Sequence, residues 1–174
     1  MRTYTTEHTV YTCDELTKEA QTRAIDDYRQ SEWETGLYGL EEDMTEELHR
    51  LLKQHKITPV NVTVRYSLSN CQGDGASFTG DIEYKAWRAT VGANHWGHHY
   101  MHWNSVDVSE MTSMKTDKEA PDETLRELDQ IVHDIGRELE KYGYDCIEDA
   151  LSDETIIDTI NANEYEFTID GAIS

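Results

Sequence analysis

Val60-Asn61-Val62-Thr63-Val64-Arg65-Tyr66-Ser67-Leu68 alternates apolar and polar residues. That two-residue period belongs to a strand with one buried face. Downstream, Phe78, Gly80, Ile82 and Tyr84 alternate with Ser77, Thr79, Asp81 and Glu83. Between the two runs, Ser69-Asn70-Cys71-Gln72-Gly73-Asp74-Gly75 is built of turn-forming residues, and Asp74-Gly75 suits a hairpin. Trp87 to Val91 continue the second run past a bulge, and Gly92-Ala93-Asn94 turns the chain. Residues 98–108 make a further strand with Tyr100, Val106 and Val108 on one side. Successive strands with short links predict an antiparallel meander.

Outward from this centre the period changes to that of helices. Thr12-Cys13-Asp14-Glu15 has the form of a capping box, with Leu16, Ala20, Ala24 and Tyr28 following every four residues, so residues 13–31 read as a helix. Leu40, Met44, Leu48, Leu51, Leu52 and His55 mark a second helix that stops before Pro59. Beyond a polar stretch, Ser109 to Glu119, Pro121 starts a long helix on Leu125, Leu128, Val132, Ile135, Leu139 and Tyr142, with Gly143 suited to its C-terminal cap. Ser152-Asp153-Glu154 opens a shorter one through Ile156, Ile157 and Ile160. At the chain ends, residues 2–11 (Tyr4, Thr6, His8, Val10) and Tyr165, Phe167 and Ile169 alternate as strands. The order β-α-α-β-β-β-α-α-β predicts a single α+β domain over 1–174: a mostly antiparallel sheet with helices from both ends of the chain packed on one face.

The chain has 174 residues, 36 of them Asp or Glu against 15 Lys or Arg, a formal charge of −21. The 4 Trp, 10 Tyr and periodic Leu, Ile and Val exclude a disordered acidic tail. No apolar run approaches the roughly 20 residues that span a bilayer, and Met1-Arg2-Thr3-Tyr4-Thr5-Thr6 lacks the pattern of a signal peptide. So negative a protein is repelled by nucleic acid and by anionic membranes, so neither is expected as a direct partner. A charged partner should be basic. Cys13, Cys71 and Cys146 form neither a CxxC pair nor a disulfide framework, which points to the cytoplasm.

The charge is unevenly placed. Residues 1–47 hold 13 acids and 4 bases, residues 48–116 hold 5 and 7, and residues 117–170 hold 18 and 4. The sheet region is therefore near neutral, and the helical regions carry the excess. A small domain stays soluble with a net charge of magnitude roughly 2–8, so the surplus invites a functional reason.

Three constellations bear on chemistry. Asn94-His95-Trp96-Gly97-His98-His99-Tyr100-Met101-His102-Trp103 concentrates histidine, a common metal ligand. On a strand, His98 and His102 would stand about 13 Å apart at roughly 3.3 Å per residue, and His99 would face away. Only His95 and His98 remain as candidate metal ligands, and two do not make a site, so no metal or other cofactor is expected. Next, Gln72-Gly73-Asp74-Gly75 is either a turn or a nest for an anion. It lacks the Lys-Ser/Thr of a phosphate-binding loop, and Cys71 beside it has no evident base to activate it. Last, carboxylates recur at helical spacing: Glu41, Glu42, Asp43, Glu46 and Glu47 in one helix, and Asp122, Glu123, Glu127, Asp134 and Glu138 in another. Duplex DNA carries a phosphate charge per roughly 1.7 Å, and a helix rises 1.5 Å per residue. Carboxylates on neighbouring helices can thus approximate a DNA charge ladder, and these ten are the candidate partner-binding residues.

Asp14-Glu15-Leu16-Thr17-Lys18-Glu19-Ala20-Gln21, Tyr66-Ser67-Leu68-Ser69 with Gln72-Gly73-Asp74-Gly75-Ala76, and Asn163-Glu164-Tyr165-Glu166-Phe167-Thr168-Ile169-Asp170-Gly171 together resemble a family of small proteins encoded by bacteriophages and prophages. The resemblance covers nearly the whole chain, and its most specific part is Gln-Gly-Asp-Gly. It implies an accessory phage protein in the cytoplasm of an infected bacterium and carries no catalytic residues with it. By analogy, small acidic phage proteins without an enzyme motif inhibit host restriction or CRISPR nucleases.

The leading expectation is a non-enzymatic inhibitor that occupies the basic nucleic-acid channel of a host defence complex. Two other classes compete with it. One is a metal-dependent enzyme using the His95–His102 region, and the other is a homodimer assembled through exposed Trp and Tyr.

Overall fold

The computed structural model describes residues 1–3, 7–94, 100–116 and 118–174. Where the sequence reading has one domain over 1–174, these residues group into two compact units: Gly39–Cys146, and Met1–Tyr38 with Ile147–Ser174. The fold class is α+β with an antiparallel sheet, as the periodicities predict.

The larger unit holds α2 (Leu40–Gln54), the strands β1 (Ile57–Ser67), β2 (Gly75–Tyr84), β3 (Trp87–Ala93) and β4 (Val106–Ser113), and most of α3 (Asp122–Ala150). The sheet runs β1-β2-β3-β4 with every neighbour antiparallel. Its apolar face presents Phe78, Ile82, Ala89, Val91, Val106 and Val108, all buried. Met44, Leu48, Leu51 and Leu52 of α2 are fully buried, as are Leu128, Val132, Ile135 and Leu139 of α3. These are the residues that the 3-4 spacing assigned to the helix cores, and each large apolar side chain removed from water contributes about 1.5–3 kcal/mol.

Four local features depart from the sequence reading. First, β1 begins at Ile57 and contains Pro59, which an edge strand tolerates because its unpaired side needs no N–H. A bulge lies between Pro59 and Asn61, where the Asn61 side chain accepts the Asp81 N–H at 2.6 Å. The bulge shifts the alternation by one, so Ile57 is buried while Val60, expected on the core face, is 50% exposed. Second, Trp87–Ala93 is not an extension of β2. Lys85, held at φ 56°, and Ala86 turn the chain into a separate antiparallel strand. Third, the last strand is Val106–Ser113 rather than 98–108, so Gly92 and Ala93 belong to β3 and residues 109–113 to β4. Residues 103–105 form a 3-10 turn, and His98 and His99 lie outside the described residues. Fourth, Gly143 is interior to α3 and buried. A Cβ there would stand 2.6 Å from Leu68 Cδ1 and 2.9 Å from Met44 Sδ, so the glycine serves close packing of α3 on α2, not capping.

The smaller unit packs α1 (Lys18–Thr35) with α4 (Asp153–Ala162) around Cys13, Ala24, Ile25, Ile156, Ile160 and Phe167. The Thr12–Glu15 capping box is present, but it opens a 3-10 turn at Cys13–Glu15, and Thr17 caps α1 separately. The Ser152 hydroxyl accepts from Thr155 N and starts α4. Tyr28 packs edge-on against Tyr165, with ring centroids 5.8 Å apart. The two terminal strands expected from alternation reduce to isolated bridges, Tyr11 with Phe167 and Phe167 with Ile173. Tyr4 and Thr6 of the first lie outside the described residues.

Candidate functional site

All ten acidic candidates fall in the larger unit, and the structure sorts them by what their carboxylates already touch. In α2, Glu41, Glu42, Asp43 and Glu46 are exposed and have no cationic partner among the described residues, whereas Glu47 is paired with Arg50 at 2.6 Å. The first three occupy the first turn of a helix whose N-cap is Gly39 and has no capping side chain, so their charge also complements the helix N-terminus. Burial, with Glu41 nearby, raises the Tyr66 phenol above its ordinary value. Tyr142 on α3 is pushed up to about 12, first by its hydrogen bond with Cys146, then by burial and by Asp43 and Glu47. Glu138, exposed on α3, acts on the Arg50 guanidinium. The acids of α2 and Glu138 therefore form one negative surface where the two helices meet.

The other α3 candidates lie elsewhere. Asp122 and Glu123 are at the helix start, roughly 22 Å along the axis from Glu138 at 1.5 Å per residue. Glu127 is engaged within the fold: it accepts from the Tyr84 hydroxyl at 2.9 Å and from Lys85 Nζ at 2.7 Å, which lowers its pKa, Lys85 contributing most. Asp134 is paired with Arg137. Beside the helix start lies a groove of about 420 Å³ with Met111 and Leu125 on its wall and Glu110, Glu119 and Asp122 around it. An apolar wall with an acidic rim suits the stem and charged head of a lysine or arginine.

Gln72 is exposed at the tip of the β1–β2 connection, and Asp74 organises that loop. Its carboxylate accepts from Ser67 Oγ at 2.6 Å, Ser69 Oγ at 2.8 Å and Cys71 N at 2.6 Å, and these bonds hold its pKa below the ordinary value. An Asp held by three donors shapes the loop. Gly73 and Gly75 have φ of 88° and 142°. A Cβ on Gly73 would meet the Tyr100 ring at 2.0 Å, and one on Gly75 would meet Glu140 Oε2 at 2.1 Å. Glu140 reaches that point to accept the Ala76 N–H at 3.1 Å. The two glycines of the Gln-Gly-Asp-Gly segment thus serve close packing against Tyr100 and Glu140.

Of the histidine-rich segment, His95, His98 and His99 lie outside the described residues, and His102 stacks on Tyr100 at 5.5 Å. Among the described residues a different set approaches metal-ligand geometry: Asp107, Asp129 and His133 bring one ligand atom each within 4.8 Å of one another. The i, i+4 spacing of Asp129 and His133 on α3 was legible in the sequence, but nothing there linked them to Asp107 on β4. Each has a structural use. Asp129 accepts from Val108 N at 2.9 Å, His133 Nε2 bonds to Val106 O at 2.8 Å, and Asp107 accepts from Asn94 Nδ2 at 2.9 Å. Trp103 packs edge-on against His133 and carries Arg137 over its ring at 4.1 Å.

No family model, curated protein or solved structure matches this chain. No helix among the described residues is long and apolar enough to cross a membrane.

Proposed function

We propose that this protein is a non-enzymatic binding protein of phage origin, acting in the cytoplasm of an infected bacterium. In this reading it places the acidic surface of α2 and Glu138 in the basic nucleic-acid channel of a host defence complex, a CRISPR effector or restriction nuclease. The observation that supports it is the row Glu41, Glu42, Asp43 and Glu46, exposed and without cationic partners among the described residues, in a chain of charge −21. Of the other candidates, Glu47, Glu127 and Asp134 are paired with Arg50, Lys85 and Arg137. Leaving four carboxylates unbalanced on one helix costs stability through self-repulsion and creates a surface complementary to phosphate-binding lysines and arginines. Association by counter-charge weakens steeply with salt.

The test is capture of a nucleic-acid-binding nuclease from host lysate, with and without duplex DNA. The proposal expects DNA and salt to displace the captured nuclease, and expects Glu41, Glu42, Asp43 and Glu46 changed together to Lys to abolish capture. Capture that is indifferent to DNA and survives the charge reversal would defeat it.

A second reading rests on the smaller unit, where Trp33 is 40% and Tyr38 103% exposed. Two exposed aromatics six positions or fewer apart suit self-association. Sedimentation showing a dimer that Trp33→Ala and Tyr38→Ala dissociate would favour this reading.

A further inference from the structure

β4 is the last strand of the sheet, so its outer edge must find partners beyond β3. Two covers supply them. Asp129 and His133 bond to Val108 N and Val106 O. Further along, Ala120 N donates to Met111 O at 2.9 Å and Ser113 N to Lys118 O at 2.8 Å, which holds residues 118–120 against the strand. Between the covers the register slips: Val91 faces Val108 and Thr90 faces Glu110, so Ser109 is an extra residue. Such a bulge bends the strand and re-aims its side chains. The groove of about 420 Å³ opens here, lined by β4 from Ser109 to Thr112 and by the chain that leads into α3.

Room and access are both present. The volume falls in the roughly 300–1,000 Å³ range of ligand pockets, enough for a long side chain with its flanking backbone. Met111, 5% exposed, and half-buried Leu125 form the apolar wall, while Glu110, Glu119 and Asp122 are exposed. Asp122 has Arg126 at 3.8 Å, a contact between two well-exposed groups that contributes little. Glu110 and Glu119 have no cationic partner among the described residues. The N-terminus of α3 adds about +0.5 charge at the same end, and three carboxylates outweigh it.

This combination of apolar wall and unpaired carboxylates suits arginine better than lysine. A guanidinium is planar, carries its donors in a fork that matches carboxylates, and is more weakly hydrated than an ammonium. It therefore loses less on entering a half-apolar groove, and its stem covers the wall. We infer that the groove between β4 and the start of α3 is a docking site for an arginine of a partner protein, its stem on Met111 and Leu125 and its guanidinium paired with Glu110 and Glu119. The groove involves none of the α2 acids, so either surface can fail its test without the other.

The experiment is nitrogen–proton NMR of the full chain, titrated with the capped peptide Gly-Arg-Gly and with the same peptide carrying citrulline or lysine. Citrulline keeps the shape of arginine and removes its charge. The arginine peptide should give a saturable shift of the amides of Glu110, Thr112, Glu119 and Ala120, and the citrulline peptide should not. Changing Glu110→Gln and Glu119→Gln together should weaken binding about tenfold, and both residues are exposed, so the fold should survive. The same neutral changes at Glu41 and Glu42 on α2 should leave binding unchanged. No saturable shift up to millimolar arginine peptide would overturn the inference, as would equal binding of the citrulline peptide. Weakening by the α2 changes equal to that by the groove changes would also overturn it, because net charge would then be what binds. A lysine peptide that binds as tightly would overturn the assignment to arginine.

Discussion

Asp129 on α3 accepts the backbone N–H of Val108 on β4 at 2.9 Å, and one turn later His133 meets the carbonyl of Val106 at 2.8 Å. Two side chains of one helix thus read alternate residues of one strand and fix where α3 lies along the sheet. Val108 is 7% exposed, so losing its acceptor strands a buried donor. Asp129→Ala should cost about 1–3 kcal/mol in urea unfolding, and Asp129→Asn, which keeps an acceptor oxygen, should cost less. An alanine variant within about 0.5 kcal/mol of the parent would mean that the bond is not needed.

The same three-residue neighbourhood predicts how the protein responds to metal. Because Asp107, Asp129 and His133 are each committed to hydrogen bonds within the chain, chelators should leave the melting temperature unchanged, and added Zn²⁺ or Mn²⁺ should not raise it. Stoichiometric metal in the purified protein that disappears on His133→Ala would refute this and favour a metal-dependent activity.

Gly136 lies in the middle of α3, where alanine would ordinarily gain about 1 kcal/mol of helix propensity. A Cβ there would stand 2.7 Å from Trp103 Cβ and 3.2 Å from its Cα, and backbone yields poorly. Gly136→Ala should therefore destabilise by about 1–3 kcal/mol. A stabilised variant in calorimetry would show that residues 103–105 do not press on the helix.

Two tyrosines should titrate late. Tyr28 is pushed up to about 12 by burial, then by its hydrogen bond and proximity to Glu32, and Tyr142 to about 12 by Cys146, burial and the α2 acids. A raised folded pKa favours the protonated phenol. The stability it confers is therefore complete below the ordinary value of 10.0 and is lost as pH rises from there through about 12. In an alkaline absorbance titration, Tyr142→Phe should remove amplitude from the late phase only. Amplitude lost near pH 10 instead would place Tyr142 in ordinary solvent. Reversing Asp43 and Glu47 to Lys should move the late phase earlier, because two of the groups that raise Tyr142 change sign.

The core was legible because burial imposes a period on the chain. Leu128, Val132, Ile135 and Leu139 are fully buried as their spacing requires, and so are Met44, Leu48, Leu51 and Leu52. Strand phase was less legible: alternation puts Val60 and Val62 on one face, but a single extra residue at the Asn61 bulge inverts the count. Gly143 looked like a cap since glycine serves both to end helices and to bring them close. The terminal alternations around Tyr11 and Phe167 found only bridges, since a polar–apolar alternation permits a strand and does not supply its neighbour.

By itself, then, the sequence determined the α+β class, the meander and the helix faces, together with the concentration of negative charge in the helical regions. Each of these depends on local period or on composition. Only the tertiary structure decided which carboxylates stand free on α2 and which, such as Glu127 and Asp134, are already answered by Lys85 and Arg137. It alone brought Asp107 beside Asp129 and His133, and set Glu119 opposite Thr112. The physical reason is that a charge or a donor is defined by its partner. Partners such as Glu127 and Lys85, or Arg65 and Tyr100, lie tens of residues apart in the chain and meet only when long-range packing fixes the register between elements.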